Sequence, residues 1–571
     1  MKKFRSYFVL ILATALITSC SGLNKMKKNA NLIKYEVNPP VLATHVGVVD
    51  AALKGTFPAK YFDKNTVLEV TPVLVYAGGE TPYEKITLQG EKVQSNNKPI
   101  PYVGGSFSNA GKIDYKPEML KSELMIRVKA TRKSKVVDFE PVKIADGVIA
   151  TSTLVVNNHT RPVMGTDKYV QINPEQKVAD IYYNINKAEP TSTELKAADL
   201  QMLKDYIKLV DSTENLNFVG TTVSSYASPD GAFDFNEKLA TQRGSTADKY
   251  IKKEFTTAKV TTEPAFFTEK TTAEDWDGFK AEVEKSSLQD KDLILRVLSM
   301  YSDPAVREKE IKNMSSAFEA LKTDILPKLR RSMLIVNVDN VGRADAEILA
   351  KMKSDPKGLT VEEMLRAGSL STDANEQLKF YQIAAENYPR DFRAANNVGY
   401  SYVKLGMPAE ANAALTKAAA IENNDIVKNN LGFVALMSGD LTKAEGYFTS
   451  MTTATTESKH GLGLIAINRG QYDQAVNFFG STPSQDLALA LILKGDNSKA
   501  KAILDGLTPS TTRGNTNYLK AIVGARLSDK TYMIDNLREA IRIEAKWKTY
   551  AKDDLEFAKY FADETFKSLV Q

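Results

Sequence analysis

The chain has few of the residues that build covalent or metal-based structure. It has one cysteine in 571 residues, Cys20, which excludes an internal disulfide framework and a cysteine metal site. It has three histidines, His45, His159 and His460. None has a second histidine at i+4, so metal clusters and a Ser-His-Asp arrangement lack raw material, and each reads as an isolated surface histidine. After the first twenty residues no run is apolar enough to span a bilayer. Charge of one sign is also missing. There are 75 basic against 70 acidic residues, or 72 against 70 without Lys2, Lys3 and Arg5, too even a balance for nucleic acid. Disorder is not the default reading either, because 43% apolar and 25% charged residues are ordinary for a folded chain. At this length several domains are expected. "GGSFSNAGK" is no phosphate loop: five residues separate Gly105 from Gly111, and Ile113 stands where Ser or Thr belongs. Glu274 and Asp275, beside Trp276, read as the start of a solvated helix. The expectation is a protein without enzyme activity, cofactor or metal.

What is present begins at the amino end. Lys2, Lys3 and Arg5 precede an apolar run from Tyr7 to Ile17, too short for a transmembrane helix and suited to a secretory signal. The run ends in Ile17-Thr18-Ser19-Cys20, which resembles the bacterial lipoprotein box. That resemblance implies a signal peptide over 1–19, cleavage before Cys20, and acylation of its thiol and new amine, so the protein would hang from outer-membrane lipid. Residues 20–34 read as a linker; Lys25, Lys27 and Lys28 lie in it, with no acid. In lipoproteins of the Bacteroidota, acids after the cysteine mark surface export, so the resemblance favours the periplasmic face.

Further along, periodicity divides the chain. Residues 35–170 alternate in short runs such as "TVLEVTPVLVY" and "ELMIRVKA", broken by Gly, Pro and Asn clusters, the pattern of one or more β-sandwich modules. Residues 171–345 read as a small α/β domain in the order β-α-β-α-β. "DIYYNI", "LNFVGTTVSSY" and "LRRSMLIVNV" are its strands. Leu200, Leu203, Ile207 and Val210 stripe its first helix, and Thr191 with Glu194 has capping-box spacing. A helical insertion is expected over 253–327 and a linker over 346–374. The remainder, 375–571, is helical and repeats. Gly399, Gly406 and Ala411 recur as Gly432, Gly439 and Ala444, then as Gly463, Gly470 and Ala475. The first glycine of each set admits a neighbouring helix, the second ends the first helix with positive φ, and the alanine seats the second helix. Pairs of this kind must stack to cover their apolar sides.

These repeats resemble the tetratricopeptide repeat family, which implies an all-α solenoid with a concave groove for protein or peptide. Residues 179–243 and 329–338 resemble an OmpA-like carboxy-terminal domain, through "FNEKLATQR" and the closing "LRRSMLIVNV". That family's pocket holds the diaminopimelate of peptidoglycan. An aspartate takes the ammonium and a helix arginine the carboxylate. Arg243 occupies the arginine position, seven residues after Asn236, but Ser228 stands where the acid belongs, with Asp230 the nearest carboxylate. Either Asp230 serves instead, or the pocket has lost this ligand. The domain order is similar to that of Bacteroidota cell-envelope lipoproteins. It implies a lipid-anchored scaffold with protein partners, among them outer-membrane β-barrels or complex subunits, and as the alternative a peptidoglycan anchor.

Overall fold

The computed structural model describes residues 22–313, 315–508 and 513–571; Cys20 and the expected signal peptide lie outside them. The chain forms two compact units. One joins the stretch up to Thr166 with Ser371–Gln571; the other is Asp167–Leu370.

The β-rich part of the first unit has strands β1 (Lys34–Asn38), β2 (Val41–His45), β3 (Val48–Phe57), β4 (Val67–Tyr76), β5 (Gly79–Pro82), β6 (Ile86–Gly90), β7 (Lys98–Ile100), β8 (Gly105–Asp114), β9 (Ser122–Arg132), β10 (Lys135–Asp138) and β11 (Val142–Ile149). Their main order is β1-β3-β2-β11-β9-β4-β6-β7, with β8 on β3. The expected sandwich is one half-barrel sheet. β2 pairs with β3 on one side and β11 on the other, so its layers are continuous. Leu68 and Val70 of β4, Ile126 of β9, Phe57 of β3 and Phe107 of β8 share its core. Residues 22–28 form helix α1 rather than a linker. Leu23 and Met26 are buried in that core, and the Tyr61 hydroxyl donates to the Met26 carbonyl at 2.9 Å.

In the second unit, β12 (Ile172–Tyr182), α2 (Ala198–Asp211), β13 (Leu216–Tyr226), α3 (Phe233–Thr257), β14 (Phe267–Thr272) and β15 (Arg331–Val341) build a sheet of order β12-β15-β13-β14. The apolar stripe of α2 packs with Val223, Ile251 and Leu334 in one core. Thr191 and Glu194 brace a short 3-10 turn, Glu194–Lys196, so α2 itself starts later, at Ala198. β14 lies within the stretch expected to be helical. "FTEKTT" has no apolar alternation because five of its six residues are exposed at the sheet edge. The rest of the insertion is helical, with α4 (Trp276–Lys285), α5 (Lys291–Met300), α6 (Pro304–Asn313), α7 (Ser315–Asp324) and α8 (Leu326–Leu329) around Phe279, Ile294 and Leu321. The expected linker 346–374 carries α9 (Asp345–Ser354) and α10 (Val361–Leu370), where Ile348 and Met352, and Met364 and Leu365, are buried.

The first unit resumes as helices: α11 (Ala374–Asn387), α12 (Phe392–Lys404), α13 (Pro408–Ile421), α14 (Asp425–Met437), α15 (Leu441–Thr449), α16 (Thr456–Asn468), α17 (Tyr472–Phe479), α18 (Gln485–Lys494), α19 (Asn497–Asp505), α20 (Gly514–Leu527), α21 (Lys530–Ile543), α22 (Lys546–Asp553) and α23 (Glu564–Val570). They pair as α12/α13, α14/α15 and onward, and resemble a tetratricopeptide solenoid. A Cβ on Gly399, Gly432 or Gly463 would come within 2.4, 2.6 and 2.5 Å of Leu415, Phe448 and Phe479 on the paired helix. Gly406, Gly439 and Gly470 have φ of 74°, 79° and 70°, and Ala411, Ala444 and Ala475 are fully buried. The β-rich part and the solenoid, expected as separate modules, belong to one unit. Lys121 pairs with Asp553 at 3.0 Å, the His45 ring bonds Tyr472 at 2.6 Å, and Leu154 enters the solenoid core.

Candidate functional site

After the 3-10 turn Thr151–Leu154, the chain runs from Asn157 to Thr166 without helix or strand. Main-chain groups in such a segment need partners from elsewhere. The solenoid supplies them from the first helix of successive pairs. Asn397 of α12 accepts from the Gly165 N–H and donates to its carbonyl, at 2.7 and 2.8 Å. Asn430 of α14 does the same for Val163, both at 2.7 Å. Asn396 also donates to the Val163 carbonyl, and Asn429 to that of Arg161, at 3.2 and 3.1 Å. In α16 the His460 ring takes this role, bonding the His159 carbonyl at 2.9 Å. Four alternate carbonyls, at 159, 161, 163 and 165, are thus held.

Asparagine suits this clamp because its amide offers a donor and an acceptor side by side. All four asparagines have 0% exposure. They also bond each other: Asn396 donates to Asn397, Asn429 to Asn430, and Asn430 to Asn396, at 3.1, 3.2 and 2.9 Å. The recognition is of backbone. A small residue is required at Gly165, where a Cβ would lie 2.9 Å from Arg393.

His460 corrects the surface reading made for each histidine: it is buried. Its pKa is pushed down to about 4, chiefly by burial, with Asp486 opposing the depression, Arg161 adding to it, and the hydrogen bond to the His159 carbonyl also opposing it. Asp486 lies 3.6 Å away and also bonds His159 at 2.8 Å. A neutral His460 donates from Nε2, since the carbonyl can only accept. The native state therefore binds fewer protons than the unfolded chain. This stability is full above pH 6.5, the ordinary value, and is lost as pH falls from there toward 4. We expect urea unfolding to show wild type losing up to about 3 kcal/mol more than His460→Gln across that window.

The residues read as an OmpA-like pocket also come together. Arg243 is 1% exposed. Its Nε donates to the Lys187 carbonyl at 3.0 Å and its Nη1 to that of Tyr226 at 2.8 Å. Its Nη2 is buried without a partner among the described residues. Burial pushes its pKa down to about 10, and the ring of Tyr183 lies 5.1 Å from the guanidinium. Asn236 does not cap α3: its Nδ2 ties the turn by donating to the Ser228 and Gly231 carbonyls, both at 3.0 Å. The Ser228 hydroxyl donates to the Asp230 carboxylate and accepts from Arg330 at 3.3 Å. Asp230 also sits 3.6 Å from the Arg330 guanidinium. Trp276 bonds Glu274 at 3.0 Å, while Asp275 caps α4. Among the described residues no cluster suited to a metal occurs, and no helix is long and apolar enough to cross a membrane.

The clamp asparagines were missed as functional residues, although their signal was present. The doublet Asn396-Asn397 recurs as Asn429-Asn430 with the 33-residue period of the glycines, and the next repeat puts His460-Gly461 there.

No family model matches the chain. A stretch of 112 residues, 19% of the chain, is 28% identical to the BBSome complex member BBS4 of Bos taurus and spans 22% of that protein. A tetratricopeptide repeat protein from Parabacteroides merdae aligns at 15% identity over 38% of this chain and 91% of its own, with TM-score 0.30. The Pseudomonas aeruginosa pilF structure aligns at 16% over 39% and 100%, with TM-score 0.29. The APC/C hetero-tetramer Cut9-Hcn1 aligns at 15% over 65% and 82%, with TM-score 0.31.

Proposed function

We propose that this protein is a lipid-anchored scaffold of the outer membrane, facing the periplasm, and a subunit of an assembly, secretion or surface-structure complex. The observation that carries the reading is the clamp. A groove chemically suited to peptide main chain is filled by the chain's own segment 157–166, which fixes the β-rich part and the solenoid as one platform. Such a platform holds other proteins by its remaining surface, with outer-membrane β-barrels or complex subunits as partners. Acyl chains on Cys20 would keep it at the bilayer, where tethering raises the effective concentration of weak contacts. No nucleic acid, metal or cofactor enters this reading.

The test is fractionation followed by affinity purification. Wild type should pellet with outer membranes, and Cys20→Ser should move to the soluble fraction. Tagged wild type from solubilised membranes should bring down a defined partner in constant ratio. Equal partitioning of the two chains would sink the anchor, and recovery of no constant partner would sink the scaffold.

One observation favours a second reading, the peptidoglycan anchor. A buried guanidinium nitrogen without an acceptor, as on Arg243, is costly and suits a carboxylate ligand. Isolated sacculi should then retain wild type, lose Arg243→Ala, and hold Arg243→Lys at an intermediate level. Equal retention of all three would remove this reading.

A further inference from the structure

A second pocket opens beside the clamp, and neither the scaffold nor the peptidoglycan reading uses it. It has a volume of about 210 Å³ and lies between the clamped segment and the loop joining α17 to α18. Arg161 enters from the segment, and Thr456 and Lys459 come from the first turn of α16. Ser481, Thr482 and Ser484 come from the loop. No aspartate or glutamate is among its lining residues. Asp486 lies 3.6 Å from the pocket's His460 and already takes a hydrogen bond from His159; the first turns of α18 and α16 carry Asp486 and Glu457.

The main chain of Arg161 is held by Asn429. Among the described residues its guanidinium has no hydrogen-bond or ion-pair partner, though its charge is felt by His460, and the ammonium of Lys459 has none either. Two cations converging on one small cavity repel each other unless an anion lies between them. Hydroxyls supply further donors: Ser484 accepts from the Leu487 N–H at 3.1 Å, which leaves its own proton free. Two helices also begin here. Thr456 is the first residue of α16, and Ser484 is the N-cap of α18. Both termini present the positive end of a helix dipole to the space between. His460 stays neutral and contributes no charge.

We propose that this pocket binds a phosphate-type oxyanion, with the guanidinium fork of Arg161 and the ammonium of Lys459 as its charged ligands and the hydroxyls as neutral donors. A phosphate-type oxyanion carries more acceptor oxygens and more charge than a carboxylate, and so can use both cations and the hydroxyls that line this pocket. The phosphate could be free or carried on a lipid headgroup.

The experiment uses the full chain as Cys20→Ser, which removes acyl chains as a source of lipid contact. Its melting temperature is followed in rising inorganic phosphate against sodium chloride of matched ionic strength. A ligand that binds the folded state raises stability with the logarithm of its concentration. Phosphate should raise the melting temperature above the chloride control. Arg161→Gln should melt no lower than the parent in chloride, since it removes one of two cations that repel each other, and should lose at least half of the phosphate shift. Lys459→Gln, at an exposed position, should lose a smaller part. A missing phosphate shift in the parent, or an undiminished shift in Arg161→Gln, overturns the proposal. Sedimentation with phosphatidic acid or phosphatidylcholine vesicles separates the sources. Arg161-dependent retention on the acidic vesicles alone assigns the phosphate to a headgroup; a phosphate shift without retention assigns it to a soluble ligand.

Discussion

Replacing Asn397 and Asn430 together by alanine should raise hydrogen exchange at the Val163 and Gly165 amides by about two to three orders of magnitude. Each asparagine satisfies both main-chain groups of a single residue, at 2.7–2.8 Å. Removing Asn397 leaves the Gly165 N–H and carbonyl to find water in a buried groove, and removing Asn430 leaves the Val163 N–H, whose carbonyl keeps Asn396, each at a cost of about 1–3 kcal/mol. Two such losses fall on one short segment, so their effect concentrates in its local opening rather than in global unfolding. Exchange resolved by peptide mass spectrometry should show the change confined to residues near 157–166. Asn412→Ala, on the exposed side of α13, is the control and should leave these amides as they were. Unchanged exchange in the double variant would mean that something other than the asparagines protects the segment.

A larger loss of global stability is expected from Gly524→Ala. The added Cβ would lie 2.7 Å from the Met533 nitrogen and 2.9 Å from its Cα. These are main-chain atoms of the paired helix α21 and cannot rotate aside, so the two helices must part. We expect a loss of about 1–3 kcal/mol. The same chemical change at Gly446, in α15, meets nothing within 4 Å. There the gain in helix propensity prevails, and Gly446→Ala should stabilise by about 0.5–1 kcal/mol. Trp547 stacks on Tyr518 of α20 with ring centroids 4.2 Å apart, so its fluorescence follows urea unfolding where Gly524→Ala acts. Two variants shifting the midpoint in the same direction would contradict the packing account.

The repeat glycines were legible because each answers one local demand. Gly406 needs positive φ and Gly399 needs a close neighbour, and both demands recur at a fixed period. The long strands β13 and β15 were legible through their apolar runs. β14 was not, because an edge strand with exposed side chains carries no alternation. The linkers failed for a related reason: pairs such as Leu23 and Met26 are too short a signal to separate a docked helix from polar chain. The clamp joins residues such as Gly165 and Asn397, distant in sequence, and its ligand is a main chain. Backbone recognition leaves its mark on the receptor, in paired asparagines, and little on the bound segment beyond Gly165. His460 was misread because burial comes from the packed groove, which no local pattern announces.

The discontinuity of the first unit sets an order of events during synthesis. Its opening stretch ends at Thr166, and the helices that complete it begin only after Leu370. A chain made from the amino end therefore finishes the intervening unit while residues 157–166 still await the asparagines that will enclose them. Until α12 and α14 have been made, the nascent protein displays an unclaimed peptide to any chaperone that reads backbone.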